Sequence, residues 1–237
     1  MGSFRIPGSL GIHAKSGWTL QTLHGLPSYI EQKNLAATQK RSSGSIPSPQ
    51  PAIPLDNDTR TLAATAYGEG SSGNVFNEMA AIANVLVRQQ KARGYKSISA
   101  FISADRNFAY AAHDGNERYT QLMKASESQI STSKGMADAL KGAINALSPA
   151  SVDYSGGAYF WDGADIESNY EKHAKVRGGI RFSDVAHNLY KIKEKEVPGE
   201  EWWRDNRGKK TKVRGQWKYK YESTAAWGGT IFWKYNQ

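Results

Sequence analysis

Hydrophobic positions between residues 58 and 93 repeat with helical spacing on both sides of a glycine- and serine-rich segment at 68–73. The pattern predicts a first helix with Asp58 as its N-cap, and a second helix from about Asn74 to Arg93. The two apolar faces consist of Leu62, Ala63, Ala66 and Tyr67, and of Ala80, Ile82, Ala83, Val85 and Leu86. The segment between them is a helix break that leaves a polar side chain room to face a cleft.

The rest of the pattern predicts shorter elements. Predicted helices cover residues 97–103, 117–130 and 133–147. Predicted extended segments cover residues 158–161, 217–221 and 225–235, with a hairpin turn at 205–208 or at Gly215. This order predicts an α+β fold, mainly α, with a small antiparallel β-sheet.

Residues 1–57 form a predicted N-terminal extension, of which residues 35–57 have the Ala/Ser/Pro-rich composition of a linker or extended surface segment. Residues 58–237 are predicted to form one domain. The start lacks the hydrophobic core of a signal peptide, so we expect export by another route, or a piece of a longer protein. No apolar run is long enough to span a bilayer. The absence of Cys excludes disulfides and thiolate metal sites.

Glu69 lies at the break between the two predicted helices. The negative end of the helix dipole and apolar neighbours such as Tyr67 both oppose ionisation of its carboxyl group. A carboxyl group that stays protonated near neutral pH is suited to general acid catalysis. The local sequence alone favours the alternative of a solvated Glu in a Gly/Ser loop.

Several motifs resemble the SleB-type cell wall hydrolase family. The segment 66–69 (Ala-Tyr-Gly-Glu), followed by the Ala-rich helix 79–88, is similar to its Glu-Ala-Arg-Gly-Glu segment and following helix, with Glu69 and Arg88 in register. Asn-Phe-Ala at 107–109 resembles its Gln-Phe-Ser. Asp-Tyr-Ser-Gly-Gly-Ala-Tyr-Phe at 153–160 and Trp-Gly-Gly-Thr-Ile-Phe at 227–232 resemble two further motifs. The chain departs from the family near Gly73, at Val87 and at Thr230, where the family has Glu, Asn and His.

The resemblance implies a lysozyme-like domain that cleaves peptidoglycan glycan strands at the β-1,4 bond between N-acetylmuramic acid and N-acetylglucosamine, with Glu69 as the essential acid. Hydrolysis and formation of a 1,6-anhydro product both remain open, and the resemblance favours the second. No cofactor or metal is implied. Glu78 is a second candidate carboxylate, either catalytic or positioning water or substrate, where the family often has Gln. Predicted substrate contacts are Tyr67, Asn107, Phe108, Tyr110, Tyr159, Phe160, Trp161 and Asp162.

Positive charge is concentrated in residues 168–222, which hold 15 Lys/Arg against 8 Asp/Glu, a net charge of +7 within a chain of net charge +9. Within it, Trp202-Trp203-Arg204 and 216–221 interleave aromatic and basic residues, and no family motif falls between about 168 and 224. We interpret this stretch as a basic aromatic insertion that favours approach to an anionic polymer.

Two alternatives remain open on the sequence: a non-catalytic peptidoglycan-binding module, and a cationic protein that binds nucleic acid through residues 202–221. The favoured partner is peptidoglycan rather than nucleic acid. The expected site of action is the bacterial periplasm or cell wall, as a secreted antibacterial effector, a phage lysin or a host remodelling enzyme. An immunity or export partner is compatible with the first of these.

Overall fold

The structure, a computed structural model, describes residues 55–106 and 108–236. Helix α1 spans Asn57–Glu69 and helix α2 spans Phe76–Ala92. The side chain of Asp56, not the predicted Asp58, caps α1 by accepting the Thr59 N–H. Asp58 instead accepts the N–H groups of Ile98 and Ser99, so it joins α1 to the start of the next helix.

The remaining helices of the first part are α3 Ile98–Ala104, α4 Tyr110–His113, α5 Glu117–Lys124, α6 Glu127–Thr132 and α7 Lys134–Leu147. The single helix predicted over 117–130 is wrong, because Ser126 starts a new helix through a capping box with Gln129. Helices α2 and α7 approach closely at Gly142, where an added Cβ would lie 3.0 Å from the Cα of Ala80.

The sheet contains β1 Phe160–Asp162, β2 Ile180–Arg181, β5 Tyr221–Trp227 and β6 Thr230–Tyr235, in the order β1-β6-β5-β2. Strands β1, β6 and β5 are antiparallel, but β2 is parallel to β5, so the prediction of a purely antiparallel sheet is wrong at this edge. The short helices α8 Asp165–Ser168 and α9 Ala174–Gly178 and the 3-10 turns Tyr170–Lys172 and Val185–His187 lie between β1 and β5 along the chain.

Strands β3 Gly199–Arg204 and β4 Lys210–Trp217 form a separate two-stranded hairpin. Its turn lies at 205–208, one of the two predicted positions, and the Gly208 N–H donates to the Asp205 carbonyl. The predicted continuous strand over 217–221 is not formed, because Trp217 ends β4 and Tyr221 begins β5.

A large apolar cluster lies under the helices, and its biggest fully buried side chains include Leu62, Met79, Ile82, Leu86, Phe101 and Leu122. A second cluster contains Val176 and Ile180 together with Ile166, Ile231 and Trp233. Part of the basic segment therefore shares a core and a sheet with the rest of the domain. The α+β class is confirmed. Among residues 55–106 and 108–236, no helix has both the length and the apolar character needed to cross a membrane.

Candidate active site around Glu69

Glu69 is the last residue of α1, and its side chain is only partly accessible to solvent. Its Oε1 accepts the N–H of Ala111 at 2.6 Å. Burial raises the pKa of Glu69 to about 7; the Ala111 bond opposes the shift, and the nearby charge of Asp114 adds to it. Within the described residues, Glu69 forms no ion pair with Lys or Arg. The position thus supplies a carboxyl group that is about half protonated at neutral pH.

The close approach of α4 explains why Glu69 is desolvated. A Cβ added at Gly68 would lie 2.7 Å from the Cβ of Ala111, so only glycine lets α4 pack directly against the end of α1. Asn116 Nδ2 donates to the Gly68 carbonyl at 3.2 Å and fixes the same contact from the start of α5. The absence of a side chain at Gly68 therefore allows the Ala111 N–H to reach the Glu69 carboxylate.

Arg118 holds the loop that follows Glu69. Its guanidinium donates to the carbonyls of Gly70 and Ser71 at 2.8 and 2.7 Å and to Asn74 Oδ1 at 2.8 Å, and it lies 4.1 Å from the ring centroid of Tyr67. A cation at the C-terminal end of a helix is electrostatically favourable. Tyr67, predicted to contact substrate, is buried beneath this guanidinium. Sequence reasoning missed Arg118, because nothing in a local pattern relates it to a loop more than 40 residues earlier.

Glu78 is fully buried and lies at the junction of the loop and the sheet. Its Oε2 accepts the N–H and Oγ–H of Ser71 at 3.1 and 2.5 Å, and its Oε1 accepts the N–H of Gly229 and the Oγ–H of Thr230 at 3.0 and 2.7 Å. A carboxylate bonded by four internal donors and closed to solvent cannot contact a substrate. In this arrangement Glu78 joins the loop after α1 to the turn before β6, which fits neither the catalytic role nor the water- or substrate-positioning role expected from the sequence.

Aromatic residues predicted to line a groove come together in part. The ring centroid of Phe108 lies 6.1 Å from those of Phe160 and Trp161. Phe108 is three residues before Ala111, so its Cα is at most about 11 Å from the Cα of the residue that binds Glu69. Tyr110 is 46% exposed, and it precedes Ala111 directly. Asn107 lies outside the described residues.

Tyr159 is 37% exposed and lies beside Arg88, whose guanidinium is 5.6 Å from its ring centroid. Arg88 also donates to Asp153 Oδ2 at 2.5 Å, to Ser155 Oγ at 3.0 Å and to the Ala158 carbonyl. The arginine that matches the family pattern therefore fixes the loop that enters β1.

Asp162 ends β1 within a charged cluster. Its Oδ1 lies 2.8 Å from Lys175 Nζ and 3.4 Å from His173 Nε2. His173 Nε2 also lies 3.5 Å from Asp165 Oδ2. Burial lowers the pKa of His173, but interactions with Asp162 and Asp165 outweigh burial and raise it to about 9. The sequence marked Asp162 and Asp165 as candidate acids, but no local pattern predicted that His173 and Lys175, which follow a short 3-10 helix, would lie beside them.

Two concave regions of the surface are lined by other residues. One includes Tyr154, His187 and Trp227, and the other lies at the base of the hairpin around Gly199 and Trp217. Glu69 lines neither region.

Comparison of the chain with protein-family models, with curated proteins and with solved structures found no match. A carboxyl group with a pKa of about 7 and one backbone N–H donor can release a proton and take one back at neutral pH.

Proposed function

We propose that this protein cleaves the glycan strand of peptidoglycan at the β-1,4 bond between N-acetylmuramic acid and N-acetylglucosamine, with Glu69 as the general acid. The observation that carries the proposal is the raised pKa of Glu69, about 7, at a helix end that keeps partial access to solvent. An ordinary surface Glu is ionised at neutral pH and has no proton to donate. The motifs around Glu69 resemble those of the SleB-type family. That resemblance implies a lysozyme-like fold with one essential Glu, and it supports the same role for Glu69.

In the proposed reaction, Glu69 donates its proton to the glycosidic oxygen as the bond to the anomeric carbon breaks. The resulting oxocarbenium-like centre then reacts with water or with the muramoyl 6-hydroxyl group. The ionised Glu69 removes a proton from this nucleophile, which restores the acid. One carboxyl group performs both steps most readily when its pKa is near the working pH.

A mechanism with one carboxyl group fits the surroundings better than one with two. Glu78 is buried and fully bonded, and Asp162 is held by Lys175 and His173. Glu78 would have to give up these interactions to act as a nucleophile, and the side chain of Asp162 is only 9% exposed. This favours release of the product by water or by the internal hydroxyl group, without a covalent intermediate on the protein.

The proposed substrate path passes the exposed ring of Tyr110 and the partly buried rings beside it. Tyr110 is next to Ala111, and Phe108 contacts the end of the sheet at Phe160 and Trp161. Sugar rings stack on aromatic side chains, and the net charge of +9 favours approach to an anionic wall polymer. The setting we propose is the bacterial periplasm or cell wall.

The deciding experiment is mass spectrometry of the muropeptides released from purified sacculi by the wild-type protein, by Glu69→Gln and by Glu117→Gln. Glu117 is an exposed acid in the first turn of α5 and serves as the matched control. We expect the products of glycan cleavage from the wild type and the control only, and hydrolytic and 1,6-anhydro products differ in mass by one water. Full release by Glu69→Gln, or no release by the wild type, would overturn the proposal; the second result would favour the non-catalytic peptidoglycan-binding module.

A second candidate function, binding of an anionic polymer, rests on the hairpin. Arg214 lies 4.9 Å from the ring centroid of Trp203, which is 55% exposed, and Lys210 lies 5.3 Å from that of Trp202. Such paired cations and rings can bind nucleic acid as well as anionic glycan. A gel shift with single-stranded DNA across a salt series separates the two, because phosphate-driven binding weakens steeply with salt. We propose the glycan, with binding that assists cleavage.

A further inference from the structure

We infer that Asp162, Asp165 and His173 form a binding site for a divalent transition metal ion of the zinc class. Asp162 ends β1, Asp165 begins α8 and His173 immediately precedes α9. Each offers one ligand atom, and the three atoms lie within 4.8 Å of one another. The turn after β1 and the start of α9 therefore present one imidazole nitrogen and two carboxylate oxygens to the same point.

The spacing of these atoms fits a shared ion. His173 Nε2 lies 3.4 Å from Asp162 Oδ1 and 3.5 Å from Asp165 Oδ2. Zinc binds nitrogen and oxygen at about 2.0–2.2 Å, and neighbouring ligands of a tetrahedral site are then about 3.3–3.5 Å apart. A direct N–H···O bond between charged groups is shorter, about 2.7–2.9 Å. The separations in the cluster are longer than that, and they are compatible with ligands that share one ion.

A buried atom without a partner supports the site independently. Asp162 Oδ2 forms no hydrogen bond within the described residues, although the side chain is only 9% exposed. A buried carboxylate oxygen is costly to leave without a partner. The other oxygen, Oδ1, already faces Lys175 at 2.8 Å. An ion held by both oxygens of Asp162 would use Oδ1, which faces His173, would satisfy Oδ2, and would leave the lysine in contact with Oδ1.

The surroundings also orient the second carboxylate. Asp165 Oδ1 accepts the N–H of Gly163 at 3.1 Å, which turns Oδ2 toward His173. The two carboxylates balance the two charges of the ion, and Lys175 then leaves one positive charge in the cluster. Asp165 is 41% exposed, so water can reach the fourth position of a tetrahedral site. A ligand set of one nitrogen and two carboxylates suits zinc better than the all-oxygen sites of calcium and magnesium.

The test is isothermal titration of ZnCl₂ into the full chain after dialysis against a chelator, with the wild type, His173→Gln, Asp165→Asn and His113→Gln. His113 is an exposed histidine outside the cluster and is the matched control. We expect one ion per chain for the wild type and the control, and at least a ~100-fold weaker affinity for the two cluster variants, since even indirect partners of metal ligands contribute about 10–100-fold. Equal affinity in all four proteins would overturn the inference.

X-ray absorption of the zinc-loaded wild type keeps the test independent of whether the variants fold. One imidazole and two or three further oxygen neighbours at about 2.0 Å would support the site. A shell without imidazole, or the absence of stoichiometric zinc after loading, would refute it. Magnesium and calcium, titrated in parallel, are expected to bind much more weakly, and tighter binding of either would exclude the zinc class. The result does not depend on glycan cleavage, so the two proposals fail separately.

Discussion

Replacement of Glu69 by Gln is expected to stabilise the fold at alkaline pH while it removes activity. The unfolded chain loses the Glu69 proton near pH 4.5, but burial keeps that proton in the folded state up to about pH 7. The folded state therefore binds more protons over this interval, and its stability falls as the pH rises through it. With 1.36 kcal/mol per pKa unit, an ionised Glu69 costs about 3 kcal/mol above pH 7. Gln keeps an acceptor for the Ala111 N–H and avoids this cost.

The assay is thermal and urea unfolding of the wild type and Glu69→Gln between pH 4 and pH 8.5. For a domain of this size, about 3 kcal/mol corresponds to a rise in Tm of roughly 6–12 °C at pH 8. At pH 4 both side chains are neutral, so the two proteins should melt at nearly the same temperature. Glu117→Gln, at an exposed position, keeps Glu69, so its Tm should follow that of the wild type at every pH.

A stability difference between Glu69→Gln and the wild type that does not change with pH would refute the desolvation argument. A variant less stable than the wild type at pH 8 would do the same, since it would mean that the ionised carboxylate is favourably paired. The acidic form also carries the proposed catalysis, so kcat/KM on sacculi should fall about tenfold per pH unit above pH 7. At pH 6, Glu69→Gln should lose at least ~10²–10⁴-fold in rate with its fold intact.

Glu78→Gln should lower the free energy of unfolding by about 1–3 kcal/mol, because the amide NH₂ of Gln must face either the N–H of Ser71 or that of Gly229. Unchanged urea unfolding would contradict this expectation, and a change in the pH optimum of activity would show a direct catalytic role. Gly228→Ala should disrupt the same junction, since its φ is +60° and its Cβ would meet the Glu78 carboxylate, while Gly215→Ala in open space should unfold like the wild type. The third change places Gln at four exposed cations of the hairpin: Lys209, Lys210, Lys212 and Arg214. This variant should slow lysis of sacculi most at low salt but leave turnover of a short soluble glycan nearly unchanged. The reason is that long-range attraction between the cations and the anionic wall is screened within ~10 Å at 0.1 M salt. Equal loss of activity on both substrates at every salt concentration would show that the hairpin forms part of the active site.

The sequence by itself determined the two long helices, the break between them and the position of Glu69 at that break. Hydrophobic spacing and glycine chemistry act over a few residues, so they can be recognised without a fold. The same local signals located the turn of the hairpin at 205–208. They failed at Ser126, where a capping box divides a pattern that continues across it, and at Asp56, which competes with Asp58 as a cap only two residues away.

Only the tertiary structure decided what surrounds the two candidate carboxyl groups. Both Glu69 and Glu78 are acids near the ends of neighbouring helices, and the pattern gave each a possible catalytic role. Packing gives the two acids different surroundings. Helix α4 buries Glu69 and offers it a single N–H donor, while Gly229 and Thr230 donate to Glu78 from the start of β6. The chain segments that supply these groups lie about 40 and 150 residues away, beyond the reach of any local pattern.

The same limit applies to the cluster at Asp162. The sequence marked the acids after β1, but the approach of His173 and Lys175 depends on how α9 packs against the edge of the sheet. The burial that raises the pKa of Glu69, and that leaves Asp162 Oδ2 without a partner among the described residues, is a property of the assembled domain. A local sequence pattern specifies which side chains a helix presents, whereas the desolvation and charge around them arise from segments that meet only in the folded chain.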